Sequence, residues 1–133
     1  MSQKSKTYVI EGKPIPLARA RMTKRSIWDS QKQERIRYGI EVARQHDDAT
    51  FFNGPVHVDV CFWFAIPPSR LKFADKLIGS WHIFKPDLSN LQKWYEDVAE
   101  GICFANDCII ASTNATKRWD LSNRTVFTIT ELT

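Results

Sequence analysis

Residues Val56–Phe64 read Val-His-Val-Asp-Val-Cys-Phe-Trp-Phe. Val56, Val58, Val60, Phe62 and Phe64 alternate with His57, Asp59, Cys61 and Trp63, the period of two that sends successive side chains to opposite faces of a strand. A strand apolar on one face needs a second layer to cover it, so this stretch predicts a sheet packed against helices. Pro67 and Pro68 close the strand, because proline cannot donate to a ladder. Beyond them, Ser69–Pro86 reads as a long connection with one short helical turn, a length unusual in a small domain without a function. A helix is predicted from Asn90 to Glu100, with Leu91, Tyr95, Val98 and Ile102 on one apolar stripe and Gly101 as its C-terminal stop. Two further strands, Cys108–Lys117 and Thr125–Thr130, read as a hairpin joined across Trp119–Asn123.

Upstream, Thr7–Gly12 carries the β-branched and aromatic residues of a first strand, ended by Gly12 and Lys13-Pro14-Ile15-Pro16. Leu17–Trp28 is rich in Arg and Lys without clear periodicity and predicts an exposed loop or arm. A helix is expected over Ser30–His46. Ser30 and Gln33 form a capping-box pattern at its start, and Ile36, Ile40 and Ala43 recur at helical spacing. The order β-α-β-α-β-β predicts an α+β fold with a mixed or antiparallel sheet and two main helices. Residues 1–133 form one small domain.

The chain has 43% hydrophobic and 26% charged residues, the balance of a globular protein. No run approaches the roughly 18 apolar residues of a membrane span, and the opening Met-Ser-Gln-Lys-Ser-Lys lacks the apolar core of a secretory signal. A cytoplasmic protein without membrane contact is expected. Cys61, Cys103 and Cys108 show no pairing pattern, which argues against a disulfide framework or a cysteine-only zinc site. His46, His57 and His82 share no ligand spacing and read as ordinary structural residues.

The net charge of +4 is uneven, with seven Lys or Arg against one Glu in residues 1–25. Such clustering suits a polyanion, because neutralised phosphates release counterions. Lys13, Arg19, Arg21, Lys24, Arg25, Lys85, Lys117 and Arg118 are the candidate DNA contacts. Of the five tryptophans, Trp63 and Trp94 fit core or interface positions. Trp28, Trp81 and Trp119 sit near element boundaries, where dimer burial or stacking on unpaired bases are the alternatives.

The chemically informative stretch runs from Lys85 to Asp107. On the second helix Asn90, Lys93 and Asp97 share a stripe beside the apolar one, and Asp87 precedes the helix where free N–H groups favour an anion. Local chemistry also allows a plainer reading. Ser89 and Gln92 match a capping box, Asp87 suits a turn, and Lys93 and Asp97 are spaced for a surface ion pair.

The run Asp87-Leu88-Ser89-Asn90-Leu91-Gln92-Lys93, then Asp97 and Asn106-Asp107, resembles the signature region of the RusA family of Holliday-junction resolvases. The family pattern is D-x-D-N-x-x-K, a further Asp in the same helix, and D-D after a turn. The opening Gly12–Pro16 and closing Thr125–Leu132 also resemble the family's ends.

The resemblance implies a magnesium-dependent endonuclease, manganese being a possible substitute. It implies a homodimer making paired nicks in four-way DNA junctions during recombination or repair, in a phage or prophage setting. Carried over, Asp87, Lys93 and Asp107 are catalytic; Asp87, Asp107, Ser89 and Asp97 are the metal-site candidates; Asn90 and Asn106 support them. Ser89 and Asn106 stand where the family has Asp, and neither adds the negative charge on which magnesium sites depend. A DNA-binding protein of the same fold with a weakened metal site is the alternative, and an assembly protein using its aromatic surface is a third.

Overall fold

The computed structural model describes residues 4–17, 21–22, 27–28, 31–46 and 51–133. Its elements are β1 (Ser5–Glu11), β2 (Arg21–Met22), β3 (Ile27–Trp28), α1 (Lys32–Gln45), β4 (Val56–Ala65), α2 (Ala74–Leu77), α3 (Leu88–Ala99), β5 (Ile110–Asp120) and β6 (Arg124–Glu131). Short 3₁₀ turns occupy Pro68–Phe73 and Asp107–Ile109. The α+β architecture expected from the sequence is present, as a four-stranded mixed sheet covered by helices. The sheet order is β1-β6-β4-β5, with β2 and β3 as a separate two-stranded pair.

β4 is central. Its Val56, Val58, Val60, Phe62 and Phe64 are buried, while His57, Asp59, Cys61 and Trp63 on the other face are not. Register carries the same division to the neighbours, placing Ile129 beside Val58 and Phe127 beside Val60. Tyr8 stacks on Phe127 at 5.0 Å, and Tyr95 of α3 meets the same ring at 5.1 Å. Large side chains buried this way each contribute about 1.5–3 kcal/mol by removing apolar surface from water.

The expected hairpin of the last two strands is not formed. β5 runs parallel to β4 on one side and β6 antiparallel on the other, so β4 separates them. The linking turn crosses the end of β4, where the Ile66 N–H donates to the Asp120 carbonyl (2.9 Å) and the Ala65 N–H to Asn123 Oδ1 (2.8 Å). The most apolar strand takes one of the two interior places, where burial is greatest.

α1 also turns a different face inward than Ile36 and Ile40 suggest. Those two are 55% and 48% exposed, and the buried residues are Tyr38 and Val42. The Tyr38 hydroxyl donates to the Lys13 carbonyl at 2.9 Å and lies against Gly12, whose φ of +116° and close approach leave no room for a side chain. Ser30 lies outside the described residues, and Gln31 at the N-cap makes no side-chain capping bond. Gln31 Nε2 instead donates to the Pro16 carbonyl at 2.8 Å.

Each edge of the sheet is bonded over part of its length. Gln45 of α1 donates to the Val9 carbonyl and accepts from its N–H, capping the outer edge of β1. At the other edge, Gly79–His82 runs along β5, with bonds from Gly79 N–H to the Trp119 carbonyl (2.8 Å) and from His82 N–H to the Lys117 carbonyl (3.0 Å). An uncovered edge would invite pairing with another chain.

Candidate active site

α3 positions the signature residues. Asp87 is its N-cap, in an extended conformation and without a side-chain bond to the helix, so its carboxylate is not consumed in capping. Ser89 lies inside the first turn rather than ahead of it, so the Ser89–Gln92 capping box is not formed. Leu91, Trp94, Tyr95, Val98 and Ala99 are buried against the sheet. Ser89, Lys93 and Glu96, at helical spacings of four and three, therefore share the stripe opposite that buried face. Gln92 reaches toward Thr113 of β5, which fixes the side on which β5 lies.

Glu96 is the residue that sequence reading missed. Burial first, then repulsion from Asp107 and Asp97, pushes its carboxyl from the ordinary 4.5 up to about 7, while Lys93 pulls the other way. Burial is the larger cause, and the two repulsions place Asp97 and Asp107 close to Glu96. Its spacing from Ser89 and Lys93 was visible in the sequence. Its neighbour Asp107 was not, because that residue arrives from beyond the Gly101 turn, where φ is +86°. Asn106 caps the turn at Asp107–Ile109, its Oδ1 accepting from the Cys108 N–H at 2.9 Å. That lone-pair position is thus occupied by the backbone.

A cleft of about 490 Å³ opens beside the start of α3, lined by Lys13, Pro14, Pro16, Lys85, Pro86, Asp87 and Asn90. The proline-bearing segment is tied to the helix by the Leu17 N–H, which donates to the Asn90 carbonyl at 3.0 Å. On the other side Lys117 Nζ donates to the Phe84 carbonyl (2.6 Å) and the Pro86 carbonyl (2.7 Å). Burial lowers the Lys117 pKa from its ordinary value, and the nearby Asp87 opposes that shift. Lys117 therefore straps down the approach to Asp87. It does not stand on a hairpin as a free phosphate contact.

The remaining candidates divide clearly. Arg118 is bonded to the Gly79 carbonyl (2.6 Å) and stacked on Trp81 at 3.9 Å, again on the edge of the sheet. Arg19, Lys24 and Arg25 lie outside the described residues; Arg21 belongs to β2, opposite Trp28. Asp59 pairs with His57 on the face of β4 opposite its buried valines. His82 is a buried structural residue, stacked on Phe64 at 4.1 Å. All three cysteines are free, Cys103 buried, Cys61 half-buried and Cys108 exposed.

Acidic oxygens beside a lysine and a basic cleft suit phosphodiester hydrolysis, and a comparison with protein families agrees. The model of the family described as endodeoxyribonuclease RusA matches residues 11–130. The protein is an endodeoxyribonuclease. It belongs to the RusA family, a membership that implies Holliday-junction resolvase activity. No curated protein matches the chain. No helix among the described residues is long and apolar enough to cross a membrane.

Proposed function

We infer that this chain is a magnesium-dependent resolvase that cuts four-way DNA junctions by paired nicks, one from each subunit of a homodimer. The observation that carries the reading is the crowding of Glu96, Asp97 and Asp107 at α3 with Lys93 as the opposing charge. Among the described residues no group of three His, Cys, Asp or Glu side chains converges to hold a metal. Magnesium does not require one, since it is commonly held by one or two carboxylates together with water and substrate phosphates. Asp87 at the start of α3 and the Glu96–Asp107 pair further along it each offer hard carboxylate oxygens, with Asp97 and the Ser89 hydroxyl as further candidates, and one or two of these with water and phosphate would meet that demand for magnesium or for manganese.

When bound, the metal supplies a water of lowered pKa and neutralises charge on the phosphate. The chain's own residues do the rest. Lys13 and Lys85 line the cleft and bring a phosphate toward Asp87. Lys93 offsets negative charge developing on the phosphate or the leaving oxygen. Lys117 holds the Phe84–Pro86 backbone, and with it Asp87, in place. Exposed Ile36 and Ile40 on α1 supply an apolar face for a second subunit. A setting in phage or prophage recombination and a cytoplasmic location belong to the same reading.

The serine at position 89, and the lack of three convergent carboxylates among the described residues, favour one alternative, a junction-binding protein with a weakened metal site. Labelled four-way junction incubated with the parent and with Asp87→Asn, with and without magnesium, separates the two. Magnesium-dependent nicking lost in the mutant supports the enzyme; tight binding without cleavage in magnesium or manganese supports the alternative.

A further inference from the structure

The described residues expose nine large hydrophobic side chains, and six of them lie in the single connection between β4 and α3: Leu71, Phe73, Ile78, Trp81, Ile83 and Phe84. Trp81 is 59% exposed, Ile83 81% and Phe84 53%. This concentration is far from what scattered surface hydrophobics produce. Each exposed ring carries a cation. Arg118 lies over Trp81 at 3.9 Å, Lys72 over Phe73 at 5.2 Å, and Arg70 over Phe84 at 6.0 Å. Lys76 and Lys85 add further positive charge to the connection, against one acid, Asp75.

The connection is also held in place. Gly79–His82 is bonded along β5, and Lys117 grips the carbonyls of Phe84 and Pro86. It ends at Asp87, so whatever lies against its rings lies beside the acid that begins α3. Rings interleaved with cations, presented on an anchored backbone, are what single-stranded nucleic acid needs: a surface for stacking and charge for the phosphates.

We propose that the Trp81–Phe84 segment is a stacking platform for unpaired bases at the branch point, placed so that the adjoining phosphate enters the Asp87 cleft. The proposal rests on the reading of the Asp87 site as acting on branched DNA. Charge favours DNA over a second copy of the chain. A two-fold contact through this connection would bring Arg70, Lys72 and Lys76 of both copies into one interface, like charge beside like. A polyanion meets them favourably.

The test measures dissociation constants of the full chain for three DNA probes in magnesium-free buffer: a four-way junction, a linear duplex of the same arms, and an oligo-dT single strand. The variants are Trp81→Ala with Phe84→Ala, and Trp81→Phe with Phe84→Tyr, which keep the rings. The alanine pair should weaken junction and oligo-dT binding about tenfold or more, the effect of losing base–aromatic stacking. It should leave duplex binding within about twofold, and the ring-keeping pair should bind all three as the parent does. Equal loss on all three probes, or no loss, overturns the platform. So does a shift of the alanine pair from dimer to monomer in sedimentation, which would make the surface a self-contact. If the parent itself shows no preference for the junction over the duplex, the branched-DNA reading fails before the platform is reached.

Discussion

Lys93 stands near the middle of α3 and Asp87 at its N-cap, with opposite charge, and substitution of Lys93 should separate binding from chemistry. Lys93→Ala should lower single-turnover nicking of a junction by roughly 10²- to 10³-fold, the scale of losing one electrostatic partner of the transition state. Junction affinity should stay within a few-fold; an equal loss of affinity would reassign Lys93 to ground-state binding. His82 makes a pH prediction. Burial first, then the charge of Lys117, lowers its pKa below the ordinary 6.5. The unfolded chain takes up a proton near that pH which the folded chain refuses, so stability is lost as pH falls through and below about 6.5. Thermal melting between pH 7.5 and 5 should show a steeper decline for the parent than for His82→Phe, and parallel curves would exclude His82 as the cause. Gly12→Ala should cost roughly 1–3 kcal/mol, since a Cβ there would stand 2.9 Å from the Tyr38 hydroxyl on a backbone with φ of +116°.

Among the elements, β4 and α3 were legible in the sequence because their signals are local: strict alternation in one, a buried stripe bounded by Gly101 in the other. The face of α1 was not. Ile36 and Ile40 share the same spacing as Tyr38 and Val42, and periodicity cannot choose between two stripes that both look apolar. What decides is the Tyr38 bond to the Lys13 carbonyl, a contact across distant sequence. The place of β5 was equally hidden. Its Ser112, Thr113, Asn114 and Thr116 carry no strong alternation, so nothing local tells whether it pairs with β4 or β6. For the site, Asp87, Lys93 and Asp107 were readable from the signature, whereas Glu96 gains its meaning only when the turn returns Asp107 to α3. At this scale Lys117→Met is the informative variant. Releasing the Phe84 and Pro86 carbonyls should slow nicking roughly 10- to 100-fold through misplacement of Asp87. Melting temperature and magnesium-free junction binding should change little. Loss of binding instead would return Lys117 to the role of a phosphate contact.

The fold sets α1, α3 and the candidate site residues on one face of the sheet, with Gln45 bonded to β1 at Val9 and Gly79–His82 bonded to the end of β5. In the proposed homodimer the exposed isoleucines of α1 form the surface for the second subunit. Two subunits related by a two-fold axis would present two Asp87 sites to a junction that is itself nearly two-fold symmetric. The most direct test is a supercoiled plasmid that extrudes a cruciform, compared with the same plasmid lacking the inverted repeat. The proposed junction resolvase should give magnesium-dependent conversion of the cruciform plasmid to linear DNA, the product of two coordinated nicks, with the control plasmid intact. Equal nicking of both plasmids, or no cleavage in magnesium or manganese, would contradict it.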